Sequence, residues 1–160
     1  MEPIMLSILG GALAAGLAMC GSAIGCAISG QAGAGVVSED PGKFGRLLLL
    51  QALPGTQGIY GLVAMFLIVN RMLALMDVNA LGIIHGWQLI FAALPVALTG
   101  LISAIYQGKV CASGSAMVAK RPAEVGKGMI FAVVVETYAV LGLLATILLL
   151  QRVGMDVLAQ

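Results

Sequence analysis

Of the 160 residues, 61% are hydrophobic, 9% charged and 5% aromatic, and the net charge is +1. A soluble domain carries roughly 25% charged residues, so this chain lacks polar cover for a water-facing surface, and its near-neutral charge offers nothing to nucleic acid. A soluble enzyme, a disordered segment and a nucleic-acid binder are thereby excluded, which leaves an integral membrane protein.

A spanning helix needs about 20 mostly apolar residues, and four stretches qualify. The first runs from Ile4 to about Val37; Met1-Glu2-Pro3 before it lacks the positive residues of a signal peptide, so this span is expected to be kept. Gly10, Gly11, Gly16, Gly21, Gly25, Gly30, Gly33 and Gly35 recur along it among alanines and serines. Such small residues let helices approach closely in lipid. Cys20 and Cys26 fall on different helix faces and, with Cys111, read as small apolar fillers rather than a disulfide or metal framework. The second span, Leu47 to about Met76, contains Pro54-Gly55, where a missing N–H can loosen the helix. Asp77 to His85 reads as the middle loop, followed by Trp87 as an interfacial anchor. The third span, Ile83 to about Ile105 with a less apolar continuation, has a thinner small-residue stripe of Ala97, Gly100, Ala104, Gly108 and Ala112. The fourth runs from Met129 to about Leu150.

Lys and Arg concentrate on the cytoplasmic side of membrane proteins. Lys43 and Arg46 lie at the first connection, and Lys109, Lys120, Arg121 and Lys127 at or near the third; Arg71 and Arg152 fall towards the opposite side. Both odd connections are therefore expected in the cytoplasm, with the termini and the middle loop outside. Shifting the chain by 81 residues lays Pro41 on Pro122, Gly45 on Gly126, Ser22-Ala23-Ile24 on Ser103-Ala104-Ile105, Gly33 on Gly114, and Gly61-Leu62 on Gly142-Leu143. The chain reads as a duplicated hairpin, 1–80 and 81–160. The copies keep one topology, unlike the inverted repeats of many secondary transporters. Parallel copies suit a ring with the first and third spans as its inner wall.

The acids are Glu2, Glu39, Asp40, Asp77, Glu124, Glu136 and Asp156, and all but Glu136 lie in loops or near termini. Glu136 sits inside VVVETYAVLGLL, where a bare carboxylate is costly and a functional site is the default reading. Its repeat counterpart is Gly55. Residues equally far from a hairpin tip lie at equal depth, which puts Gln107, Thr56 and Gln57 level with Glu136. Leu53, Thr56, Gln57 and Tyr60 share one helical face. One carboxylate with neutral oxygen donors suits a monovalent ion better than calcium, which usually collects more carboxylates. For protons alone a carboxyl would suffice, so the added oxygens favour Na⁺.

The segments LPGTQGIYG (Leu53 to Gly61), YQGKVCASG (Tyr106 to Gly114) and VETYA (Val135 to Ala139) resemble the proteolipid subunit of rotary V-type ATPases, most closely the bacterial sodium-pumping form. The resemblance covers nearly the whole chain. It implies an all-α integral membrane protein whose four transmembrane helices form two tandem hairpins and assemble into a homo-oligomeric ring. It also implies that Glu136 is the ion-binding carboxylate, that Thr56, Gln57 and Gln107 supply side-chain oxygens and Leu53 a main-chain carbonyl, and that Tyr60 holds Glu136 by a hydrogen bond. Lys109, near that level, is expected to snorkel towards the cytoplasm or the ring interior. The implied partners are the membrane stator subunit and the central stalk, the latter docked on Ser38–Gly45 and Ala119–Gly126. No catalytic constellation is expected: the chain has one histidine, His85, and no phosphate-binding loop. The rivals are the same ring carrying H⁺, a passive pore or structural membrane protein, and a small secondary transporter.

Overall fold

In lipid every backbone group must be satisfied within the segment, and that requirement carries helices straight through the glycines. The computed structural model describes residues 1–155, so Asp156 lies outside the described residues. It contains α1 (Glu2–Glu39), α2 (Phe44–Ala52), α3 (Thr56–Asp77), α4 (Ile83–Lys120) and α5 (Val125–Arg152). Single 3₁₀ turns occupy Pro41–Lys43, Leu53–Gly55 and Pro122–Glu124. All four hydrophobic stretches are helices long and apolar enough to cross a membrane. Together with the duplication, this is the all-α membrane architecture of two tandem hairpins.

The helices are longer than the apolar pattern implies. α1 and α4 have 38 residues each, roughly 57 Å at ~1.5 Å per residue, against ~30 Å of hydrocarbon. The continuation after Ile105 is one helix with the third span, ending at Lys120. The second span, conversely, is two helices joined by the Leu53–Gly55 turn. The hairpin tips are also tighter than Ser38–Gly45 and Ala119–Gly126, most of which is helical. His85 is not in the middle loop but in the first turn of α4, where its Nδ1 accepts from Gly82 N at 3.1 Å.

The closest packing joins α1 to α4. A Cβ at Gly21 would fall on the Leu101 backbone, and one at Gly25 would overlap the Ala104 carbonyl and reach within 2.8 Å of Pro54 Cβ. These partners differ in number by about the repeat offset, so the two helices run side by side, parallel and in register. The outer helices repeat the relation. Gly61 packs against Ala14 and Ala18, and its counterpart Gly142 packs against Pro95 and Thr99, the counterparts of those alanines. Cys111 is buried as a filler should be, but Cys20 is exposed and fills nothing within the chain.

Two apolar clusters flank the level of the buried amides. One joins Ile68, Leu75, Leu89, Val96 and Leu150; the other joins Leu47, Leu50, Cys111, Val118 and Ala132. At the tip end, Lys43 Nζ pairs with Asp40 Oδ2 at 3.1 Å and donates to Ala119 O at 2.9 Å, tying one hairpin tip to the other. At the opposite end Arg71 Nε donates to Val153 O at 2.7 Å and Nη2 to Gln151 O at 3.2 Å. There it serves carbonyls at the end of α5 that have no helical partner.

Candidate ion-binding site

Three segments converge on Glu136. α5 carries the acid itself, α4 carries Gln107, and the broken second span carries Leu53, Thr56, Gln57 and Tyr60. The break has a local cause. Pro54 cannot donate to the helix ladder and crowds the carbonyl four residues back, and the chain responds with a 3₁₀ turn whose Leu53 O accepts from Thr56 N. α3 then restarts at Thr56, which puts Thr56 and Gln57 in its first turn.

Thr56 Oγ1 donates to Glu136 Oε1 at 2.7 Å, and Tyr60 Oη donates to the same oxygen at 2.6 Å. Gln107 Nε2 lies 3.3 Å from Glu136 Oε2 and 3.1 Å from Ala132 O, while Gln107 Oε1 accepts from Gln57 Nε2 at 2.5 Å. Leu53 O and Gln57 Oε1 lie 3.0 and 3.3 Å from Thr56 Oγ1. Both amide side chains are fully buried and Glu136 is half-buried. All six residues singled out in the sequence therefore share one locus.

The balance of protons and lone pairs tells what this locus can do. Three acceptor oxygens, those of Leu53, Gln57 and Glu136, surround the Thr56 hydroxyl, which has a single proton to give. The proton goes to the carboxylate, the shortest contact, and the other oxygens keep unused lone pairs. A partly buried oxygen cluster with acceptor capacity left over and a single carboxylate is suited to a monovalent cation. Among the described residues the two ion pairs, Lys43–Asp40 and Lys127–Glu124, lie at the hairpin tips, away from Glu136. Lys109 is exposed and rests over the Tyr106 ring, 4.6 Å from its centroid. That cation–π contact is not legible from hydropathy, which suggests snorkelling alone. The Ala132 carbonyl is likewise invisible in the sequence, since backbone groups leave no mark there.

The family profile for the ATP synthase C-subunit matches residues 9–68 and 90–149. The two matched segments are offset by the same interval as the internal repeat. The V-type sodium ATPase subunit K of Enterococcus hirae is 46% identical over 129 residues, covering 81% of this chain and 80% of that protein. The A-type ATP synthase subunit K of Methanocaldococcus jannaschii is 43% identical over 149 residues, 93% of this chain but 63% of the longer relative.

Proposed function

The chain belongs to the ATP synthase C-subunit family, and from that premise we propose that it is a rotor-ring subunit of a membrane V-type ATPase, carrying Na⁺ across the bilayer on Glu136. The observation that carries this reading is the surplus of acceptor oxygens around Thr56 Oγ1, next to Glu136, the one acid that lies away from the ends of the described helices. The naming of a similar protein as a sodium ATPase subunit supports the same cargo. The subunit is non-catalytic; ATP hydrolysis belongs to partner subunits.

In this reading residues 1–80 and 81–160 are the two hairpins, and only the second carries the acid. Many copies form a closed ring, with α1 and α4 inside and Glu136 towards the outer belt. Glu136 contributes charge, Thr56, Gln57, Gln107 and the Leu53 carbonyl replace hydration, and Tyr60 fixes the carboxylate. With Na⁺ aboard the site is neutral and can pass through lipid; without it the bare carboxylate would be prohibitive there. Ion exchange therefore takes place where the ring meets a stator subunit. The hairpin tips face the cytoplasm and the central stalk, and the termini lie outside a cell membrane. Moving one charge against ~100 mV costs about 2.3 kcal/mol, which hydrolysis can readily supply.

Proton carriage is the second reading, favoured by the single carboxylate, which alone suffices for H⁺. Labelling ring-containing membranes with a hydrophobic carbodiimide separates the two. The reagent is expected to modify Glu136, and Na⁺ to slow the reaction at constant pH. Labelling that responds to pH but not to Na⁺ assigns the cargo as H⁺, and failure to label Glu136 removes both readings.

A further inference from the structure

α3 begins at an unusual place, in the interior of the second apolar span, with Gly55 at its cap position. The first N–H groups of a helix have no intrahelical partner, and a cap side chain ordinarily serves one of them. Gly55 has no side chain to do so. The missing acceptor comes from another helix: Ser22 Oγ, on α1, accepts from Gly58 N at 2.7 Å in a buried contact. Gly58 is the third residue of α3, the position an N-cap side chain usually serves.

The repeat supplies an internal comparison. The counterpart of Ser22 is Ser103 and that of Gly55 is Glu136, but α5 runs unbroken through Glu136. No N–H is released there, and Ser103 Oγ, though buried, has no partner. The same serine is thus engaged only where the helix is broken.

We infer that Ser22 is a positioning residue for the ion site: by capping α3 from α1 it fixes the turn that holds Thr56 on Glu136 and gathers the Leu53 carbonyl and Gln57 around the Thr56 hydroxyl. Thr56 and Gln57 are the two residues immediately before Gly58, so the cap and the ion donors belong to one helical turn. A shift of that turn moves three of the site's oxygens together while leaving Glu136, on α5, in place. The close fit at Gly58 belongs to the same device, because a Cβ there would lie 3.2 Å from Ser22 Oγ and 3.6 Å from Met19 Cα.

The inference rests on the ion-binding reading above, and two measurements on the assembled ring keep them apart. The first is the Na⁺ concentration that half-protects Glu136 from carbodiimide. Ser22→Ala is expected to raise it about tenfold, the equivalent of one hydrogen bond. Ser22→Thr, which keeps the hydroxyl, should stay near wild type, and so should Ser103→Ala. Should Ser22→Ala fail to assemble, Gly58→Ala presses on the serine without removing it and should raise the value in the same direction. The second is hydrogen exchange at the Gly58 amide, which involves no ion and should speed up in Ser22→Ala alone among the serine variants. Wild-type half-protection in Ser22→Ala, an equal rise in Ser103→Ala, or an unchanged Gly58 amide overturns the inference. If the wild-type ring shows no Na⁺ protection at all, it is the ion reading that fails, and the Gly58 amide decides the cap by itself.

Discussion

Replacing the carboxylate by its amide, Glu136→Gln, separates the site's charge from its shape. The amide oxygen can still accept from Thr56 and Tyr60, which now both meet Glu136 Oε1. The new NH₂ faces Gln107 Nε2, 3.3 Å from the oxygen it replaces, so two donors oppose each other. Gln107 can turn its amide over, which sets its own NH₂ against that of Gln57. Gln57 can turn in its place, presenting its NH₂ to Thr56 Oγ1, an atom already 3.3 Å away and free to accept. The chain of amides thus reverses polarity at the expense of one donation, that of Gln107 to Ala132 O. That loss is worth about 0.5–1.5 kcal/mol, so the ring should assemble. The cation, however, loses its only compensating charge. Breaking a buried pair by removing one partner costs about 3–5 kcal/mol, or roughly 10²- to 10⁴-fold in affinity. Binding of ²²Na⁺ to the purified ring and ATP-driven uptake into vesicles measure the two halves of this prediction. Retained transport, or affinity within tenfold of wild type, refutes the role of the charge; a ring that fails to assemble refutes the amide reversal.

Two further predictions concern packing and pH. Gly25→Ala places a methyl on the Ala104 carbonyl and should destabilise the ring by about 1–3 kcal/mol, whereas Gly126→Ala, with nothing within 4 Å, should be neutral or slightly stabilising; thermal dissociation of the ring compares them. At the first tip, the hydrogen bond from Lys43 holds the Asp40 carboxyl below its ordinary value of 3.8. A depressed folded-state value means the contribution is complete above that ordinary value and lost as pH falls through the lowered one. The Gly42 amide, which donates to Asp40 Oδ1 at 3.1 Å, should therefore keep its exchange protection at neutral pH and lose it only in strong acid, and Asp40→Asn should abolish that pH dependence.

Much of the site can be read in one dimension because depth is nearly a linear coordinate in a hairpin. Counting from Pro41 and Pro122 places Thr56, Gln57 and Gln107 level with Glu136, and the structure brings these side chains within hydrogen-bond distance of one another. Azimuth is harder. In water the apolar stripe of a helix shows which face is buried, but these spans are apolar all round, and lipid accepts any face. That is why Cys20 reads as a buried filler yet is exposed, and why the α1–α4 pairing is signalled by glycines rather than by hydrophobic periodicity.

The sequence alone determined the four spans, the duplicated hairpin and the single acid at depth, because each depends only on composition and spacing along the chain. Tertiary structure decided that Ser22 on α1 caps the helix restarted after Pro54-Gly55, and that Lys43 reaches across to Ala119. The physical reason is common to both. A released N–H or a partly buried ammonium is satisfied by whichever acceptor is nearest in space, and the packing of helices, not the order of residues, sets which one that is.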